Sequence, residues 1–300
     1  MWIESKQDYE LYLGFEKAAS ENTRDAYTRD LNIFLQFLGE NYDDLSPKKV
    51  NLSHIEEFMS YVYDLGLSSS SQARILSGIK AFFKYLILEE VITENPTDLI
   101  EGPKLSRKIP DTLSVEEVEL MLNSLDLSKK ANVRNKAMLE TLYGCGLRVS
   151  ELTDLQISCL FFEEGFIKVI GKGDKERLVP IGDSAIKYIQ IYLDTIRRFQ
   201  TIDPKHRDIL FLNRRGKKLT RVMVFMMIKE LAQTAGIHKS VSPHTFRHSF
   251  ATHLIEGGAG LRAVQQMLGH QSITTTEIYT HVDQTHLRDT MIMHHPRFQN

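Results

Sequence analysis

Cysteine is scarce in this chain: there are two, Cys145 and Cys159, and no Cys-x-x-Cys. That argues against a disulfide framework and a thiolate zinc site, and it fits a reducing compartment. Long apolar runs are missing too. The longest, Val222 to Ile228, falls well short of the roughly 18 residues a membrane span needs, so no membrane insertion is expected. The opening stretch "MWIESKQDYE" is polar and charged, and no signal peptide is expected. Neither charge dominates: 37 Lys and Arg against 39 Asp and Glu leave a net −2. Taken as an average, that speaks mildly against a nucleic-acid partner. There are no internal repeats and no low-complexity tracts.

A polyanion-binding surface needs a local basic patch rather than a basic average. Lys205 to Arg221 holds seven Lys/Arg and a single acid, Asp208. Acids gather elsewhere, at Glu89, Glu90, Glu94, Asp98 and Glu101. The histidines are lopsided as well, ten of the eleven lying beyond residue 205. The C-terminal half is where chemistry or polyanion binding should be sought.

The pattern along the chain predicts a mainly α protein with a small antiparallel β-sheet, in two domains. Residues 1–92 read as a helical bundle. "SENTRDAYTRDLNIFLQFL" has Ser20 as its N-cap and Tyr27, Leu31, Phe34, Leu35 and Leu38 near helical spacing. A second helix begins at Ser53 and stops at Gly66, and a third buries Ile75, Ile79, Phe82, Phe83 and Leu86. Residues 93–111, with Pro96, Gly102, Pro103 and Pro110, read as a linker. The second domain spans 112–300. "SVEEVELMLNSL" opens with a capping box, Ser114 and Glu117. In "GFIKVIGKGDKERLVPIG", Ile167 and Val169 on one side and Leu178, Val179 and Ile181 on the other flank Gly171 to Glu176, which predicts a hairpin with Gly173-Asp174 in the turn region. A short strand is expected near "DILFLN".

Four stretches could carry chemistry. "YGCGLRVSEL" places Arg148 at a helix start with Glu151 three residues on. An arginine there can clamp an anion in two-pronged fashion, although an isolated R-x-x-E also describes a surface ion pair. Lys172 lies in the hairpin without phosphate-loop spacing. It is either a solvated turn lysine or a proton donor reaching into a groove. In "SPHTFRHSFATHL", Ser242 caps a helix with Pro243 at its first position. His244 and Arg247 then share one face, and Phe246, Phe250, Ala251 and Leu254 take the buried one. His248 and His253 read as structural, because no H-E-x-x-H and no nearby acid completes a metal triad. Finally, His270 follows a helix end at Gly269, and Tyr279 lies nine residues later. Together these are cations and hydrogen-bond donors plus one hydroxyl, with no carboxylate pair and no Ser-His-Asp pattern. Such a set suits a phosphate transition state, whose charge sits on non-bridging oxygens.

"GLRVSEL", "VIGKGDKERLVP", "SPHTFRHSFATHL" and "LGHQSITTTEIYTH", in this order, resemble the tyrosine recombinase (phage integrase) family, and within it the Xer site-specific recombinases. The terminal "HHPR", His294 to Arg297, is most similar to the XerD branch. The resemblance runs over essentially the full length, "ENTRDAY" included. It implies an N-terminal SAM-like core-DNA-binding domain and a catalytic domain of the DNA breaking-rejoining type, closing as a C-shaped clamp. It implies Tyr279 as nucleophile, with Arg148, Arg247 and His270 on the scissile phosphate. His244 would be the acid/base near the tyrosine, Lys172 the donor to the leaving 5′ oxygen, and Glu151 a supporting residue. No cofactor, metal or ATP is needed. Arg24, Tyr27, Arg29 and Lys175 are candidate DNA contacts.

The same resemblance implies double-stranded DNA with a dif-like site as substrate, in resolving chromosome dimers. It implies a tetramer with a XerC-like recombinase, activation by an FtsK-like translocase, and a bacterial cytoplasmic, nucleoid-associated location. The segment Thr285 to Met293 would dock on a neighbouring protomer. An integrase of a mobile element or a type IB topoisomerase-like relaxase would use the same residues. A silent DNA-binding regulator and a histidine-metal hydrolase are the alternatives of other classes.

Overall fold

The computed structural model describes residues 2–17, 19–104, 111–171, 175–269 and 281–298, with 281–283 described in backbone only. The chain divides into two compact units, Met1–Lys108 and Ile109–Asn300.

The first unit holds α1 (Trp2–Phe15), α2 (Glu21–Asn41), α3 (Leu52–Asp64) and α4 (Ser69–Leu88). Its core is aromatic. Phe34, Phe58, Phe82 and Phe83 are fully buried, and Phe34 meets both Phe58 and Phe83 edge to face. All five apolar positions expected on α4 are buried. Ser20 does occupy the N-cap of α2, but its hydroxyl pairs with Thr23 Oγ1 at 2.8 Å rather than with a backbone N–H. Helix α3 starts at Leu52, one residue before the expected Ser53, and its cap is Asn51. Asn51 accepts from the His54 N–H and His54 Nδ1 accepts back from the Asn51 N–H. An Asn with a reciprocating side chain three residues on satisfies two orphan donors, which a serine two residues later does not. An ion pair joins α2 to α4 in this bundle: the fully buried Asp30 accepts from Arg74.

The second unit begins with the capping box foreseen at Ser114 and Glu117, leading into α5 (Val115–Asn123). Next come α6 (Lys130–Gly144) and α7 (Val149–Asp154). From Asn135 to Gly144 every residue of α6 is buried, so this helix runs through the middle of the unit. It ends in a turn at Gly146 (φ 57°), where a Cβ would stand 2.4 Å from the Phe250 ring. Only glycine fits there, and the turn delivers Arg148 two residues later.

A three-stranded antiparallel sheet follows, β1 (Leu160–Phe161), β2 (Phe166–Ile170) and β3 (Glu176–Pro180), in that order. The hairpin is there, with Ile167 opposite Val179. Strand β1 escaped that reading. Within β3, Arg177, Val179 and Pro180 are buried, while Leu178 is half-buried. The helices α8 (Asp183–Thr195), α9 (Arg221–Thr234), α10 (Pro243–Glu256), α11 (Leu261–Leu268) and α12 (His281–His294) complete the unit. "DILFLN" is not a strand: Ile209 and Leu212 make only isolated bridges, to Gln156 and Lys218. Three consecutive buried residues, Leu210, Phe211 and Leu212, mimic a central strand without a ladder to join.

The segment Thr285 to Met293 lies on α12. In the single chain, Leu287 and Met291 are buried in the core of their own unit. The "HHPR" tail then folds back. Arg297 pairs with the buried Glu140 of α6, Nε to Oε2 at 3.0 Å. His295 is fully buried against Tyr143, Phe250 and Phe298. Burial, and then the neighbouring His253 and Arg297, push its pKa down to about 3.

An imidazole held neutral in the fold but free to protonate when unfolded stabilises the protein fully above about pH 6.5. That stability is lost as pH falls from there toward 3, by up to about 1.4 kcal/mol per unit. His295→Phe should therefore flatten the pH dependence of the melting temperature between about pH 6 and 4. Parallel curves for variant and wild type would count against this.

Candidate active site

Arg148 stands at the N-terminus of α7, where its own N–H donates to Glu151 Oε2 at 2.8 Å. Its guanidinium reaches Glu151 Oε1 at 2.9 Å and the Gly269 carbonyl at 3.4 Å. The side chain remains 39% exposed, so one side of it faces outward.

Arg247 arrives from α10, whose start is set as the sequence predicts. Ser242 accepts from the Thr245 N–H, and Pro243 opens the helix. Arg247 is buried and donates to the carbonyls of Gly146, at 2.7 Å, and Leu268. It stands 3.8 Å from Glu151 Oε2. Burial first, then the like charge of Arg148, lower its pKa to about 10, which leaves it charged at neutral pH.

Glu151 is the hub of this arrangement. Burial alone would raise its pKa, but hydrogen bonds from Arg177 and Arg148 outweigh burial and hold the carboxyl below its usual range. Arg177, absent from the expected site residues, makes the strongest of these contacts. It is buried and forks onto Glu151, Nη1 to Oε1 at 2.8 Å and Nη2 to Oε2 at 2.9 Å. Its Nε donates to the Met267 carbonyl at 2.8 Å. The signal that could have found it is parity: Arg177 is two residues before the core residue Val179, so strand alternation turns it inward.

The structure thus brings together Arg148, Glu151 and Arg247. His244 is exposed in the first turn of α10, three residues before Arg247. Lys172, His270 and Tyr279 lie outside the described residues. Lys175 is exposed, and its carbonyl accepts from the Gly171 N–H at 2.8 Å. In the first unit, Arg24 and Arg29 are exposed on α2 and Tyr27 is half-buried. His253 is buried and bonded through Nδ1 to the Tyr143 hydroxyl at 2.8 Å, a structural position as expected. In the basic stretch, Lys205, Arg207, Arg214, Arg215, Lys217 and Arg221 are all exposed.

Two guanidinium groups held by fixed carbonyls and one buried carboxylate form a donor site whose geometry is set before any ligand arrives. Such a site stabilises charge developing on a phosphoryl oxygen without reorganising. Residues 111–286 match the phage integrase family and residues 7–90 its N-terminal SAM-like domain. The chain belongs to the phage integrase family of tyrosine recombinases.

The recombinase is 43% identical over 291 residues to Tyrosine recombinase XerD of Oceanobacillus iheyensis, covering 97% of this chain and 98% of that one. It is also 43% identical over 294 residues to Tyrosine recombinase XerD of Staphylococcus saprophyticus, with the same coverage. It is therefore a Xer-type recombinase, an enzyme that cuts and rejoins DNA.

Among solved structures, XerH site-specific recombinase bound to palindromic difH substrate is similar, with a TM-score of 0.72 and 27% identity over 92% of this chain and 81% of that one. The Tn1549 transposon integrase shares the fold, with a TM-score of 0.72 at 23% identity over 94% and 98% of the two chains. Among the described residues, no helix of the recombinase is long and apolar enough to cross a membrane.

Proposed function

We propose that this recombinase resolves chromosome dimers at a dif-like site, with Tyr279 as its nucleophile. The observation that carries the chemistry is the paired, preset Arg148 and Arg247 around the buried Glu151. The two arginines, with His270, hold the non-bridging oxygens of the scissile phosphate. A tyrosine has a pKa of about 10 and is mostly protonated near neutrality, so His244 takes its proton as the hydroxyl attacks. The Tyr279 Oη–P bond forms, the P–O5′ bond breaks, and Lys172 protonates the departing 5′ oxygen. The products are a 3′-phosphotyrosine and a 5′-hydroxyl. Because the phosphotyrosyl bond retains the energy of the ester, rejoining is the same displacement run backwards, without ATP.

Arg24, Tyr27, Arg29 and Lys175 are proposed DNA contacts, and the exposed basic residues from Lys205 to Arg221 add a phosphate-binding stretch. One tyrosine per chain cuts one strand, so exchange between two duplexes takes four protomers. The names of the full-length relatives, and a related structure holding a difH substrate, support the dif-like site. On this reading the partners are a XerC-like recombinase and an FtsK-like translocase, and the enzyme works in the cytoplasm at the nucleoid.

The test is a plasmid bearing two dif-like sites, incubated with the recombinase and a XerC-like partner. Resolution into two circles is expected only when both sites are present, and EDTA should not change it. Relaxation of a supercoiled plasmid lacking any site would instead assign a topoisomerase-like activity.

A further inference from the structure

Arg177 combines deep burial with a hydrogen bond from each of its three guanidinium nitrogens. Its guanidinium leaves water, which is costly unless its nitrogens find acceptors in good geometry. It finds them on elements far apart in sequence: both oxygens of Glu151 at the start of α7, and the Met267 carbonyl at the end of α11. Two glycines flank it. A Cβ on Gly269 would stand 3.2 Å from Arg177 Cδ and 3.3 Å from its Nε. A Cβ on Gly171 would stand 3.6 Å from Nη1. In the chain, Gly171 immediately precedes Lys172 and Gly269 immediately precedes His270. One buried side chain therefore packs against the backbone from which two site residues spring, and it grips the carboxylate that anchors a third, Arg148.

Charge points the same way. Three arginines, 148, 177 and 247, share the single carboxylate of Glu151. Arg177 occupies both oxygens, so Arg148 engages only one of them with its guanidinium and stays partly exposed. Without Arg177, the whole negative charge falls on the two arginines that face the phosphate. The local charge then drops by one, and Arg148 is drawn onto Glu151.

We infer that Arg177 is a positioning residue of the recombination reaction: it neutralises Glu151 so that Arg148 and Arg247 stay available to the scissile phosphate, and it sets the backbone at Gly171 and Gly269. This rests on the reading of the site given under Proposed function.

The test measures the rate of covalent adduct formation on a nicked duplex bearing a dif-like site, alongside DNA affinity and melting temperature. Arg177→Met should slow the adduct on the order of 10²-fold, as expected for a small displacement of preset groups, with affinity changed by less than about 3-fold because many other phosphate contacts remain. Arg177→Lys, which keeps the charge but loses the fork, should fall between.

The decisive arm is Arg177→Met combined with Glu151→Gln. It restores the local charge while breaking the same hydrogen bonds, and it should cleave several-fold faster than Arg177→Met alone. Three results would overturn the inference: wild-type rates in Arg177→Met, a double variant no faster than the single, or equal losses of binding and cleavage in both single variants. If Arg177→Met does not fold, the split between cleavage and binding in Arg177→Lys decides. Wild type and Tyr279→Phe run in parallel. If wild type forms no adduct, or Tyr279→Phe forms one, the reading of the site fails whatever Arg177 does.

Discussion

Replacing Arg247 should cut the rate of strand cleavage by about 10²- to 10³-fold, the usual cost of removing one donor preset for an anionic transition state. The side chain is buried, and one N–H on each of its terminal nitrogens is committed, to the Gly146 and Leu268 carbonyls. Those bonds fix the guanidinium before substrate arrives, so none of its orientation has to be won during the reaction. Alanine would strand both carbonyls, at about 1–3 kcal/mol for each buried group. The cleaner variant is therefore Arg247→Lys, which keeps a cation but not the fork. Duplex affinity, measured by gel shift, should change only a few-fold, since affinity for DNA is summed over many phosphate contacts. If affinity and cleavage fall together, Arg247 anchors DNA instead of serving the chemistry.

Much of this site could be read from local pattern. Ser242 and Pro243 mark the start of α10 because capping and a fixed φ are local properties, and they place Arg247 in the second turn. The R-x-x-E of Arg148 and Glu151 is a helix start in which the carboxylate returns to its own N-cap N–H. What pattern did not reveal is the closure of the site. Glu151 meets Arg177, and Arg247 meets Gly146 and Leu268, across separations that no local period encodes.

Arg177 was missed because "RLVP" reads as a hydrophobic stretch, in which Leu178 and Val179 both look like core. Adjacent strand residues point to opposite faces, so only one of them can be, and the inward face is shared with Arg177. "DILFLN" fails for the reverse reason. Its apolar run is buried, yet burial alone does not supply a strand partner. At the start of α3, the reciprocal bond between Asn51 and His54 sets the helix one residue earlier than Ser53.

Tyr279→Phe carries the largest expected effect of all. A phenyl ring keeps the size of tyrosine but removes the hydroxyl proposed to bond phosphorus. On the proposed mechanism the other groups have different work: Arg148, Arg247 and His270 hold the phosphate, Lys172 donates to the leaving oxygen, His244 accepts the tyrosine proton, and Glu151 is tied to arginines. Adduct formation should fall below detection, while binding to the duplex stays near wild type.

The most direct measurement traps the adduct on a nicked dif-like duplex, digests protein and DNA, and locates the nucleotide-bearing peptide by mass spectrometry. The expected result is a single modified residue, Tyr279, linked to a 3′-phosphate, and no adduct from Tyr279→Phe. A modified peptide carrying any other residue, or an adduct formed by the Phe variant, would contradict the account.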